Sequence, residues 1–426
     1  MAHITLRSAY QNLTDRLNLF PQGAPPSETL YKILTMLFSE KEAQFVSLLP
    51  IKPFDSKLAS KLAKKSLAET EKILDELSSR GILLDAEVKG NKQYTLPPPM
   101  AGFFEFSMMR LRTDIDQKVL AELFYQYLNV EEDFIRELFT NGETQLGRTF
   151  VNEKAIENTK LEVLDYERAS EVINTATHIG VGICYCRHKM EHLGKACDAP
   201  MEICMTFNGV ADSLIRHKIA RKVDIKEGMD LLHLAYDNNL VQFGENVQNS
   251  VSFICNCCGC CCEAMLAAKR FASLSPIHTT NFLPVINESE CNGCGKCVEV
   301  CPVEAMTLVS ANDPGKKKKK KAKLNEEICL GCGVCVRVCS KEYILMRARD
   351  NKVITPVNSA HRAVIMAIER GQLQNLIFDN QALWNHRAMA AILGVILKLP
   401  PLKQVLASQQ LKSNYLGYLL SNYNKN

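Results

Sequence analysis

Two cysteine runs near residue 300 constrain this chain more than any other feature. Cys291, Cys294, Cys297 and Cys301 follow the spacing C-x2-C-x2-C-x3-C, with Pro302 next. Cys329, Cys332, Cys335 and Cys339 repeat it, with Ser340 in the proline's place. Three thiols spaced at every third residue lie in one tight loop, and thiolate is a metal ligand. Zinc modules usually pair two C-x2-C knuckles across a longer spacer. Here each run holds three evenly spaced thiols and a delayed fourth. Eighteen cysteines in 426 residues do not read as a disulfide framework, because a chain of this length buries enough core without one.

The two runs resemble those of the bacterial-type dicluster 4Fe-4S ferredoxin family, over roughly residues 282–349. The resemblance implies two [4Fe-4S] clusters, with the fourth cysteine of each run serving the other cluster. On that pattern Cys291, Cys294, Cys297 and Cys339 hold cluster 1, and Cys329, Cys332, Cys335 and Cys301 hold cluster 2. It also implies the carriage of single electrons, with no residue acting as acid, base or nucleophile. The chain as a whole is similar, more weakly, to 4Fe-4S dicluster proteins of anaerobic bacteria, and no site residue follows from that wider likeness.

At about 150 residues per domain the length suggests about three domains. An apolar fraction of 46% and a charged fraction of 23% are ordinary for a globular protein. The N-terminus lacks the apolar core and cleavage site of a secretory signal. The longest apolar run, Met389 to Leu397, falls far short of the ~20 residues that span a bilayer. The expected location is a reducing cytoplasm, where thiols serve as ligands. A net charge of +4 argues for no global role with nucleic acid or membranes.

The expected fold is α+β and multidomain: an N-terminal arm (1–26), a winged-helix-like domain (27–100), a mainly helical cysteine-rich domain (101–280), a 2x[4Fe-4S] ferredoxin-like domain (281–350) and a helical C-terminal region (351–426). Ser27-Glu28 opens a helix with Leu30, Ile33, Leu34, Leu37 and Phe38 inward. A second helix follows Asp55 and a third follows Ser66. A hairpin then turns at Lys89-Gly90-Asn91. The third helix is the expected groove reader, yet it carries Glu69, Glu71, Asp75 and Glu76 against Lys72 and Arg80. Carboxylates repel phosphate, which supplies most DNA affinity, so DNA is not the expected partner. Between 103 and 178, Leu111, Ile115, Val119, Leu123 and Leu128 are candidate inward positions. Phe103, Phe104 and Phe106 beside Met108 and Met109 are expected to pack a junction. No G-x-G-x-x-G or Walker A motif occurs.

Ten further cysteines lie between 184 and 262: Cys184, Cys186, Cys197, Cys204, Cys255, Cys257, Cys258, Cys260, Cys261 and Cys262. Six thiols within eight positions are not the pattern of cysteines used as small hydrophobes. Adjacent thiols project in different directions, so one centre takes only some of them. The leading expectation is a third Fe–S cluster, with zinc or a larger iron centre as alternatives. Arg187, His188, Lys189 and Lys195 place positive charge beside the first four, and His188 and His192 are expected as solvated histidines rather than ligands. Lys316 to Lys321 with Lys323 form a solvated loop or a docking loop for an acidic redox partner. The tail, with Trp384, His386 and Arg387 and a break at Pro400-Pro401, is expected to cover the cysteine-bearing domains. The function expected is electron transfer. An oxidoreductase subunit and a redox-sensing winged-helix regulator are the alternatives.

Overall fold

The computed structural model describes residues 2–157, 159–311, 320–378, 389–391 and 394. The chain is α+β and divides into two compact units. The first gathers residues up to Thr144, Gly209–Arg221 and the segment from Asn358. The second gathers Gln145–Asn208 and Lys222–Val357.

In the first unit the residues expected to form an arm fold instead as helix α1, Ala2–Leu17. Tyr10, Leu13 and Leu17 recur at helical spacing and are buried, and the Tyr10 hydroxyl donates to the Phe38 carbonyl at 2.9 Å. Helix α2, Glu28–Leu37, starts where Ser27 Oγ accepts from Leu30 N. Helix α3, Glu40–Val46, had no apolar stripe to announce it; a capping box between Ser39 and Glu42 starts it. Strand β1 (Phe54–Asp55), helix α4 (Ser56–Ala63) and helix α5 (Leu67–Ser79) follow, then β2 (Leu84–Val88) and β3 (Asn91–Thr95). The three strands form one sheet in the order β1-β3-β2. Lys89 and Gly90 both take positive φ at the hairpin turn, the geometry that matches strand twist in a two-residue loop. Asp85 on β2 is buried, and Ser213, Arg216 and His217 all bond its carboxylate.

Of the expected inward set beyond residue 110, Leu128 is buried and Ile115 and Leu123 are half-buried. Leu111 and Val119 are exposed, while Gln117, Leu120, Ala121 and Phe124 form the buried face of helix Gln117–Tyr125. Asp116 caps that helix and sets its phase, which apolar counting misread. Phe103 and Phe104 join Phe38, Phe124, Tyr127 and Phe134 in one aromatic cluster. Helices Ser359–Glu369 and Leu373–Ile377 belong to the first unit, where Glu369 accepts from Thr144 N and Oγ1. Trp384, His386, Arg387 and Pro400-Pro401 lie outside the described residues.

The second unit corrects the expectation of a mainly helical cysteine-rich domain. Its base is a six-stranded sheet of β4 (Gly147–Thr149), β5 (Ile179–Ile183), β6 (Glu202–Phe207), β7 (Arg221–Val223), β8 (Val241–Glu245) and β9 (Phe253–Cys257), in the order β4-β8-β9-β6-β5-β7. The pairs β4–β8, β8–β9, β9–β6 and β6–β5 are antiparallel. Successive residues of a strand point to opposite faces. One face carries Ile179, Val181, Met205, Phe207 and Ile254 into a core with helices Ala169–Thr175 and Ile225–Asp237. The other face is left to the cysteines. Four more strands follow: β10 (Phe282–Ile286), β11 (Met306–Ser310), β12 (Lys320–Leu324) and β13 (Ile344–Ala348), with β10 paired to β13 and β11 to β12, both antiparallel.

Candidate metal centres

The two runs near residue 300 sit in loops framed by these two ribbons. Each loop ends in a one-turn helix, Lys296–Glu299 or Val334–Arg337, entered through a glycine of positive φ, Gly295 or Gly333. Gly331, also at positive φ, lies against the Phe282 carbonyl and Thr280 Oγ1, where no Cβ fits. Cys291, Cys297, Cys329 and Cys335 are buried, Cys301, Cys332 and Cys339 half-buried, and Cys294 exposed. Burial, then the neighbouring Cys291, Cys294 and Cys339, pushes the Cys297 thiol up to about 11. Burial pushes Cys329 up to about 11 and Cys332 to about 12, and Cys301 is a neighbour of both. Cys301 thus stands among the thiols of the second run and Cys339 among those of the first. A cavity lined by Cys301, Cys329, Cys332 and Cys335 opens between them. Backbone N–H groups of Ala305, Gly331 and Ala322 donate to the sulfurs of Cys301, Cys329 and Cys291 at 3.2, 3.4 and 3.4 Å. A thiol-lined cavity with backbone N–H groups already aimed at its sulfurs fits a metal centre.

The ten central cysteines separate into two groups. Cys204 on β6 and Cys255 and Cys257 on β9 point away from the apolar core, and Cys184 continues β5 on the same side. The strands β9, β6 and β5 are neighbours in the sheet, so period-2 alternation alone gathers these four thiols on one face. The glycines Gly180 and Gly182 of β5 alternate with core-facing Ile179 and Val181 and put no side chain there. Two helix starts complete the set: Cys186 in helix Tyr185–His192 and Cys262 before helix Glu263–Arg270. Thiol–thiol hydrogen bonds run from Cys184 to Cys204, Cys255, Cys257, Cys262 and Cys186 in turn, with Cys257 and Cys262 at 3.0 Å. Hydrogen bonds from Cys186 and Cys257, helped by the N–H groups of Met265 and Ala264, push Cys262 down against its burial.

Cys197, Cys258, Cys260 and Cys261 form the second group. Their four sulfurs all lie within 4.8 Å of one another. The first four cysteines of this stretch, Cys184, Cys186, Cys197 and Cys204, are therefore divided between the two groups. Cys197 sits on the loop beyond helix Tyr185–His192 and joins the turn after β9.

Arg187 lies beside both groups and is fully buried. It donates to the carbonyls of Pro200 at 2.8 Å and Asn256 at 2.7 Å. Burial acts to lower its pKa, but Cys184, Cys258, Cys204 and Cys257 around it outweigh this and raise it. Its Nε is buried without a hydrogen-bond partner, a donor suited to a thiolate or sulfide of a bound centre. The sequence marked Arg187 as a nearby cation, but not as a buried one. Lys189 does not act as a free charge, since it is buried in an ion pair with Glu263. That pair ties the two helices that supply Cys186 and Cys262. His188, expected in solvent, is buried and stands 3.2 Å from His192 through their Nε2 atoms.

Comparison with known proteins adds one result. Residues 290–343 match the family model of the 4Fe-4S dicluster domain. The chain therefore carries a dicluster ferredoxin domain, an iron–sulfur module, over this stretch. No curated protein and no solved structure matches significantly, and the wider likeness to dicluster proteins of anaerobic bacteria has no support there. Among the described residues no helix is long and apolar enough to cross a membrane.

Proposed function

We propose that this protein transfers single electrons through two [4Fe-4S] clusters and a further iron–sulfur centre held by the sheet. The observation that carries this reading is the position of Cys301, which lines one cavity with Cys329, Cys332 and Cys335 rather than joining its own run. We assign Cys291, Cys294, Cys297 and Cys339 to cluster 1, and Cys329, Cys332, Cys335 and Cys301 to cluster 2. The third centre we assign to Cys184, Cys186, Cys204, Cys255, Cys257 and Cys262. A bound cubane supplies a site that takes up and releases one electron with no bond made or broken. The chain holds the two cubanes, buries four of their eight thiols from water, and aims N–H groups at the sulfurs. Such donors favour the reduced state.

We read residues 27–100 as a winged helix used for protein contact. Lys92 on the wing is engaged by Asp75 of α5 at 2.6 Å and by Asp85 at 3.3 Å, and Lys65 pairs with Glu69. Those pairs engage two lysines beside α5 that would otherwise meet phosphate, and α5 itself carries more carboxylates than cations. The partner we expect is a redox protein with an acidic docking face, met by Lys320 and Lys323 at the described edge of the lysine loop; Lys316 to Lys319 lie outside the described residues. Service as an oxidoreductase subunit is compatible with the same ligands. Eighteen free thiols suit a reducing compartment such as the cytoplasm.

Anaerobic purification with iron and sulfide assays tests the count: ~8 irons per chain for two cubanes and ~12 with a third. Cys301→Ser should perturb the EPR signal of the cluster on Cys329, Cys332 and Cys335. If the cluster on Cys291 responds instead, the crossed assignment is wrong.

A further inference from the structure

Among the described residues, Cys197, Cys258, Cys260 and Cys261 form the one thiol group whose sulfurs all lie within 4.8 Å of one another. Cys197 and Cys258 are 3.6 Å apart, Cys197 and Cys261 3.8 Å, and Cys260 and Cys261 3.7 Å. A tetrahedral ion with metal–sulfur bonds of about 2.3 Å sets its four thiolates about 3.8 Å apart, the bond length multiplied by about 1.63. A cubane places its thiolates on four different irons and spreads them to roughly 6 Å. Among the described residues, neither ferredoxin quartet closes to within 4.8 Å as this one does. The spacing is that of one ion.

We propose that these four cysteines bind a single zinc ion, separate from the iron–sulfur centres. The ligand types and count suit a closed structural zinc site, four thiolates with no position left for water or substrate. Cys260 is exposed and Cys197 and Cys258 are half-buried. An ion without redox chemistry tolerates that exposure, whereas an electron-transfer cluster gains from being kept dry. The charge balance also fits, because Arg187 stands beside Cys258 and offsets part of a doubly negative four-thiolate site.

The location gives the ion a task. Gly259, inside the ligand turn, packs so closely on Pro302 that a Cβ there would lie 2.7 Å from the Pro302 oxygen and 2.9 Å from its Cα. Pro302 follows Cys301. Lys269, one helix beyond the turn, pairs with Glu304 at 3.0 Å. Zinc would therefore pin the Cys258–Cys261 turn to the Cys197 loop and hold both against the segment between helix Lys296–Glu299 and β11 that carries Cys301. This inference does not depend on the electron-transfer reading, which would survive its failure.

The test uses the full chain purified anaerobically without added metal. Wild-type protein should contain about one zinc per chain, and zinc-edge X-ray absorption should give four sulfurs at about 2.3 Å. Cys260→Ser, at the exposed ligand, should remove or weaken the zinc while iron stays at the wild-type level. Cys204→Ser should lower iron and leave the zinc in place. Loss of about four irons from Cys260→Ser, with no zinc in the wild type, would overturn the proposal in favour of a cubane. Loss of one iron with a mononuclear ferric EPR signal would overturn it in favour of an iron–tetrathiolate site. Because the wild-type assay and absorption spectrum need no variant, misfolding of Cys260→Ser does not remove the test.

Discussion

Gly331→Ala should detach cluster 2 far more readily than its chemistry suggests, because the cost comes from backbone shape and space together. Gly331 has φ +71°, a region that costs a side-chain-bearing residue about 1–2 kcal/mol. Its new Cβ would also collide with the Phe282 carbonyl and Thr280 Oγ1. The end of β10 would have to move away, loosening the bonds from Thr280 N to Leu330 O at 3.0 Å and from Thr280 Oγ1 to Gly331 O at 2.8 Å. At about 1 kcal/mol each those bonds bring the total to about 3–4 kcal/mol. Gly194 is the control: its φ is +67°, but nothing lies within 4 Å of the added methyl group. Gly194→Ala should therefore cost only the ~1–2 kcal/mol of conformation. Anaerobic guanidinium titration, followed by bleaching of the iron–sulfur absorbance, reads the difference. At a slope of ~4 kcal/mol per molar, Gly331→Ala should shift the midpoint by nearly ~1 M and Gly194→Ala by less than half of that. Equal shifts in the two variants would refute the argument that the close approach, rather than φ, fixes the loop.

Arg187→Met should lower iron below the wild-type level while leaving the ferredoxin clusters' EPR signals intact, since the Pro200 and Asn256 carbonyls lose their donors and the central thiolates their cation; at about 1.5–3 kcal/mol per charged hydrogen bond the loss is several kcal/mol, and full iron retention would count against Arg187 as a supporting group. Asp85 gives the pH prediction. Burial acts to raise its carboxyl pKa, but bonds from His217, Arg216 and Ser213 win and hold it well below the usual carboxylate range. A group depressed on folding contributes stability above its unfolded pKa and loses it as pH falls. Wild-type stability should thus decline from about pH 5 downward, and Asp85→Asn should flatten that acid limb while destabilising the neutral protein by about 3–5 kcal/mol; circular dichroism melts across pH 3–7 check both.

The N-terminal elements were legible wherever a capping side chain met an apolar stripe. Ser27, Asp55 and Ser66 each accept from the backbone at the start of α2, α4 and α5, where the sequence places them. The hairpin at Lys89-Gly90 was legible for a similar reason, since few sequences tolerate two consecutive positive-φ positions. Helix α1 and the helices after residue 110 were less so. Their burial is set by tertiary partners such as the Phe38 carbonyl and the aromatic cluster around Phe104. The sheet was hidden by its own composition. Both of its faces are buried, so the alternation between apolar and polar that marks a half-exposed strand is missing. In Glu202–Phe207 and Phe253–Cys257 the second face carries cysteine, which reads as one more apolar residue.

That same ambiguity explains why the central cysteines could not be divided from their spacing. In each ferredoxin run the first three thiols occupy one turn, so for those three sequence distance and spatial distance agree. Between Cys255 and Cys262 they diverge. Cys255 and Cys257 share a face because they are two apart on a strand, while Cys258, immediately adjacent, is turned away toward Cys197. The chain then reverses at Gly259, and Cys262 returns to the face that Cys257 left. A run of six thiols is in this way divided between two sites, three to each: Cys255, Cys257 and Cys262 to the sheet face, and Cys258, Cys260 and Cys261 to the quartet. The strand supplies the alternation and the turn supplies the reversal. Neither is visible until the run is known to leave a β-strand, so the division is a property of the fold that the spacing alone does not encode.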